Sequence, residues 1–169
     1  ANSGGRITGS GSLQVVASDP FASWITGFAV GGLTAKTDDP DGDGFTNIEE
    51  FALDGNPASA APTGKVRSRI ETVGADQALV ITLPVRDGAT FAGAAAKSAS
   101  LDGVSYSIQG TNDLSTFDQV VTEITPSTAG MPALGSGWSY RSFRLSGAIG
   151  GVAPRGPRGF LRAAVTGAP

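Results

Sequence analysis

Residues 38–57 read DDPDGDGFTNIEEFALDGNP, and this stretch divides the chain. Apolar residues recur at helical spacing just before it and alternate at strand spacing after it. Within it, Asp39, Asp41 and Asp43 stand at every second position, Gly44 follows at once, and Glu50 comes eleven residues after Asp39. Those positions satisfy the order D-x-[DN]-x-[DN]-G-x5-E at every specified place.

Alternating short Asp side chains on a tightly turning backbone aim several oxygens at one centre, which suits a hard cation taking six to eight oxygen ligands. Asp39, Asp41 and Asp43 supply carboxylates at loop positions 1, 3 and 5, and Gly44 permits the sharp turn at 6. Phe45 offers its backbone carbonyl at 7, Asn47 stands at 9, and Glu50 closes the set at 12 with both oxygens. The expected ion is Ca²⁺, because a twelve-residue loop ending in a long bidentate Glu suits it better than the smaller Mg²⁺. Thr46 and Glu49 also spell a capping box, T-x-x-E, so a helix is expected to start there. Glu50 then faces about 100° away from Glu49, toward the ion. Ile48, Phe51 and Ala52 face the protein body, and Asp54-Gly55-Asn56-Pro57 ends the helix.

Upstream, Asp19 as N-cap and Pro20 at the first helical position open a helix expected to run to about Val30 and to stop at Gly31 and Gly32. Phe21, Trp24, Ile25, Phe28 and Ala29 fall on one buried face. No helix enters the loop directly, because GGLTAKTD (31–38) intervenes, and there is a single loop rather than a pair. A fixed brace is therefore expected rather than a calcium switch. Residues 1–18 form a Gly/Ser-rich leader ending in Leu13, Val15 and Val16, a flexible tail or a tethered strand able to add to a neighbour's sheet edge.

The run DPDGDGFTNIEEFALDGNP resembles the bacterial thrombospondin type 3-like repeat, and its loop is similar to dockerin and EF-hand loops. Phe21 and Trp24 are in keeping with the segment that precedes such a repeat in secreted proteins of the Verrucomicrobia and Planctomycetes kind. Tyr106–Leu114 with Phe117, and Arg158–Val165, resemble parts of the C-terminal β-domain that commonly follows it. The resemblance implies extracellular, calcium-stabilised scaffolding and brings no catalytic residues.

After a linker at 58–64 the pattern turns to strands. Val66, Ser68, Ile70 and Thr72 alternate with Arg67, Arg69 and Glu71 in the first, with the apolar set expected to be buried. Leu79, Ile81 and Leu83 make a second that ends at Pro84 and the Asp87-Gly88 turn. Residues 89–103 read as a long loop or irregular edge. Val104, Tyr106 and Ile108 follow, then Val120, Thr122 and Ile124. Trp138, Tyr140, Phe143 and Leu145 form a strand whose shift of parity predicts a bulge. A hairpin region at 147–159 and a last strand through Leu161, Ala163 and Val165 complete the chain. The fold expected is mostly β: an antiparallel β-sandwich with a small N-terminal helix, calcium loop and helix packed against it. Three parts follow: the leader 1–18, the helix–loop–helix segment 19–57 and the β-domain 58–169.

The 169 residues contain no Cys and no His, which excludes Cys/His zinc sites, haem ligation through His, thiol catalysis and Ser-His-Asp triads. Seven of the fifteen acidic residues lie between Asp38 and Asp54, with no Lys or Arg among them. The other eight face twelve basic residues. That crowding is self-repelling without a cation and gives no general affinity for nucleic acid. No apolar run is long enough for a membrane span. Start at Ala1 fits a processed secreted protein. The acids of the β part read as turn and surface residues. Arg141, Arg144, Arg155, Arg158 and Arg162 read as a wet strand face backed by Trp138, Tyr140, Phe143 and Phe160. The function expected is that of a non-enzymatic, extracellular or cell-surface calcium-binding structural protein, a homo-oligomer or fibre subunit joined by strand addition. The alternatives are an attachment or sorting module of a larger secreted protein, or a carbohydrate-binding domain, with other surface proteins or polysaccharide as partners.

Overall fold

A computed structural model describes residues 19–73, 76–146 and 158–167. The leader with its candidate strand, and most of the 147–159 hairpin region, lie outside them. Two short helices come first, α1 (Pro20–Ile25) and α2 (Asn47–Ala52). Seven strands follow among the described residues: β1 (Arg67–Val73), β2 (Asp76–Arg86), β3 (Lys97–Leu101), β4 (Val104–Thr111), β5 (Val121–Ile124), β6 (Trp138–Leu145) and β7 (Phe160–Gly167). They form two sheets, ordered β1-β2-β6-β5 and β3-β4-β7, with every pairing antiparallel. The mostly β, antiparallel sandwich with a small helical segment is therefore what the chain forms.

Ile81, Leu83, Val85, Val121 and Phe143 of the first sheet meet Val104, Tyr106, Ile108 and Ala99 of the second. The same cluster takes in Phe21, Ile25, Ile48, Phe51 and Ala52 of the helices, so one apolar core spans helices and sandwich. The opposite face of the first sheet is covered as well. Arg67 donates to the carbonyls of Ala129 and Gly130, Arg69 to that of Ser127, and the Tyr140 hydroxyl to that of Pro132. The Pro- and Gly-containing stretch is thereby laid over Val80, Thr82 and Ser142, all buried.

Several elements depart from expectation for identifiable reasons. Helix α1 stops at Ile25: the Thr26 hydroxyl bonds the Ser23 carbonyl, Gly27 weakens the next turn, and the chain tightens into turns from Trp24 and Ile25 to Gly27 and Phe28. Strand β2 continues through Pro84 to Arg86. Register ends at Arg67 opposite Thr82, so β1 no longer flanks β2 where the proline lacks its N–H. Within 89–103, β3 forms because Asp102 (φ 54°) and Gly103 (φ 75°) make a two-residue hairpin turn to β4. Strand β6 carries no bulge; it pairs residue for residue with both β2 and β5. Trp138 and Tyr140 lie on the face opposite Phe143 and Leu145, and the shift of parity is that change of face. In β5 it is Val121 that is buried, while Val120 is half exposed. In β1 the charged face is the covered one: Val66 and Ile70 stand 46% and 61% exposed.

Candidate metal centre

The loop is built by its own backbone. Asp39 accepts from the N–H groups of Gly42 (2.9 Å) and Gly44 (3.0 Å), Asp41 from Asp43 (3.2 Å), and Asp43 from Phe45 (2.8 Å). Gly42 and Gly44 sit at φ 74° and 93°, where a side chain would be strained. This winding brings one oxygen each of Asp39, Asp41 and Asp43 within 4.8 Å of one another. Phe45 follows in the same turn with its ring largely at the surface.

The stretch that replaces an entering helix is pinned to the start of α2. Asp38 and Lys36 carbonyls accept from the first helical amides, Asn47 N–H (2.8 Å) and Ile48 N–H (3.0 Å), which have no partner within the helix. The Glu49 carboxylate accepts from the Thr46 N–H (2.8 Å) and hydroxyl (2.7 Å), so Glu49 does belong to the cap. Asn47 is fully buried, and its Nδ2 donates to the carbonyls of Leu33 (3.0 Å) and Ala35 (2.8 Å). Both amide hydrogens are thus used, and Oδ1 is oriented by elimination. Glu50 is buried too: Oε1 accepts from the Asn56 N–H at 2.9 Å. Gly55 makes room for it, since a Cβ there would come within 2.8 Å of the Glu50 Cβ.

Three buried oxygens in this region have no hydrogen-bond partner: Asp41 Oδ2, Asn47 Oδ1 and Glu50 Oε2. They belong to loop positions 3, 9 and 12. Buried polar atoms without partners are rare because each forfeits its hydration. The carboxylates that converge within 4.8 Å are those of Asp39, Asp41 and Asp43, and Glu50 is not in that group; three unpartnered acceptors in one loop, with no donor among them, are the kind of oxygens a hard divalent ion takes. Charge points the same way. Burial pushes the Glu50 carboxyl up to about 7, with Asp41, Asp43 and Asp39 adding to the rise and the Asn56 amide opposing it. A cation among these groups removes the repulsion, and protons compete with it for the same oxygens.

No family model, curated protein or solved structure matches this chain.

Beyond the loop, the structure reveals how α2 is held. The last carbonyls of a helix lack intrahelical donors. Here the Trp138 indole N–H donates to the Phe51 carbonyl (2.8 Å) and the Tyr106 hydroxyl to the Ala52 carbonyl (3.0 Å). One donor comes from each sheet. The Arg86 guanidinium lies over the rings of Trp138 (4.3 Å) and Phe51 (4.8 Å) and pairs with Asp102 at 2.9 Å. Asp54, left-handed at φ 53° and buried, accepts from Lys65 Nζ (2.6 Å) and the Gly135 N–H (2.9 Å). Sequence reasoning placed Asp54 only as a helix stop; nothing local announces a partner eleven or eighty-one residues away.

Several acids of the β part are engaged by neighbouring side chains or amides. Glu123 pairs with Arg141, Glu71 with Arg69, and Ser139 donates to Asp87. The Asp113 carboxyl, held by the Thr116 and Ser115 amides, lies below its ordinary range. The basic residues do not form the single wet face expected. Arg141 shares the Phe143 face of β6, Arg144 lies half-buried on the other, and Arg162 covers the Phe117 ring at 3.6 Å. Arg155 is outside the described residues.

Proposed function

We propose that this chain is a calcium-braced structural protein of the cell exterior, working as a subunit of a fibre or other assembly. The observation that carries the calcium part is the trio of unpartnered buried oxygens on Asp41, Asn47 and Glu50, beside the clustered carboxylates of Asp39 and Asp43. The ligand set is Asp39, Asp41, Asp43, the Phe45 carbonyl, Asn47 and Glu50, and the ion it favours is Ca²⁺ on size and ligand number. The resemblance of 38–57 to secreted calcium repeats supports the location. No step of chemistry is assigned to the ion. It neutralises the carboxylates and fixes the loop, and α2 carries that rigidity into both sheets through Trp138 and Tyr106.

The test is calorimetric titration of the full chain with Ca²⁺ and Mg²⁺ after chelation, with electron microscopy of concentrated protein in both states. A Ca²⁺ stoichiometry of one, with assemblies that fall apart in chelator, is expected. Absence of heat with either ion overturns the metal reading; protein that stays monomeric with calcium overturns the assembly reading.

A further inference from the structure

Asp39, Asp41 and Asp43 converge through the winding of their own loop, but Glu50 stands outside that group. Its carboxylate completes the ligand set only if something else holds it in place. The turn after α2 does so. The Gly55 N–H donates to the Glu50 carbonyl at 2.7 Å, the closure of a Schellman turn, and the next amide, Asn56 N–H, donates to Glu50 Oε1 at 2.9 Å. One carboxylate oxygen is thereby fixed, and Oε2 is left without a partner. Such a turn needs a left-handed residue just past the helix end, a place usually taken by glycine because a side chain is strained there. Here that residue is Asp54, at φ 53°, and the glycine comes one position later.

Asp54 keeps this conformation under a clamp. Lys65 Nζ donates to its backbone carbonyl and to its Oδ2, each at 2.6 Å, and the Gly135 N–H donates to the same Oδ2 at 2.9 Å. The Lys65 and Asp54 side chains are 18% and 10% exposed, so solvent screens the pair poorly. Gly135 fits closely, since a Cβ there would stand 2.9 Å from Asp54 Oδ1. It belongs to the 126–137 stretch that Arg67, Arg69 and Tyr140 hold over the first sheet. We propose that Asp54 is a positioning residue of the metal centre: held by Lys65 and Gly135, it fixes the turn that aims Glu50, so that calcium binding and the seating of the 126–137 stretch favour one another. This rests on the calcium reading above. The coupling is reciprocal: whatever factor loss of the clamp takes from calcium affinity, bound calcium takes from opening of the clamp.

Lys65→Met in the full chain tests this, because charge and position predict opposite signs. Removing a cation beside an acidic stretch would by Coulomb attraction alone tighten calcium binding. Loosening the turn weakens it. By calorimetric titration of the folded variant with Ca²⁺, Kd is expected to rise about 5-fold or more over the parent chain. A second measurement needs no variant and decides alone if Lys65→Met does not fold. In hydrogen exchange of the parent chain, read by mass spectrometry at dilution, calcium is expected to slow peptides covering 133–137 by a larger factor than peptides covering 97–111 of β3 and β4, which make no hydrogen bond to the clamp. An unchanged or lower Kd in the variant, or equal slowing of the two regions, overturns the positioning role while calcium heat in the parent chain upholds the metal reading. A parent chain that gives no calcium heat overturns both.

Discussion

Adjacent glutamates at the start of α2 take different roles because a helix turns by about 100° per residue. Glu49 folds back on Thr46, whereas Glu50 turns inward with Oε2 unpartnered. Glu49→Ala should therefore cost about 1 kcal/mol, a cap's worth, and leave the calcium-induced rise in melting temperature intact. Glu50→Gln should behave in opposite ways in the two states: more stable than the parent chain in chelator, because a buried charge beside Asp39, Asp41 and Asp43 is gone, and without most of the stabilisation by calcium. Thermal scans of both variants with and without calcium check this; equal small effects would undo the position assignment. Asn47 has a structural share as well. Asn47→Ala should destabilise the chelated protein by about 1–3 kcal/mol in urea, since the fully buried Asn47 amide no longer bridges the carbonyls of Leu33 and Ala35. The loop residues were legible as a pattern because each acts through short-range spacing. The partners of Asp54 were not, because Lys65 and Gly135 reach it only after the chain has folded back.

At the scale of elements, α2 has six residues and too few internal hydrogen bonds to persist alone, so its two ends must be held from outside. The start is held by carbonyls of 36–38 and the end by donors from β6 and β4. Tyr106→Phe keeps the ring but leaves the Ala52 carbonyl without its donor and the Arg86 N–H without its acceptor. A loss of about 1–3 kcal/mol is expected in denaturant unfolding. Trp138→Phe should cost about 1 kcal/mol for the Phe51 bond plus what the smaller ring loses in packing. Helix positions were read well, since Asp19-Pro20 and Thr46-x-x-Glu49 act within one turn. Helix α1 was read too long, because apolar spacing continues to Phe28 and Val30 while the backbone has already left the helix at Thr26. Those side chains join the same core or pack on it by another route.

For the whole molecule, calcium at about 100 times its Kd should add about 2.7 kcal/mol to unfolding stability. In a domain of this size that corresponds to a rise in Tm of about 5–10 °C, read by scanning calorimetry against chelator. One transition is expected, not two, because a single apolar cluster joins the helices to both sheets. By itself the sequence determined the turn of the loop, both helix starts, the antiparallel β class and most strand positions, all of which depend on neighbours within about a dozen residues. It assigned the wrong face to β1 and β5 and a bulge to β6, because alternation says which residues share a face and not which face is covered. Only the tertiary structure decided that the 126–137 stretch shields the arginine face of β1, that Trp138 and Tyr106 close the end of α2, and that Val66 and Ile70 stand exposed on the side of the sheet that carries Ile81 and Leu83. The first two depend on contacts across 54 or more residues, which periodicity does not encode.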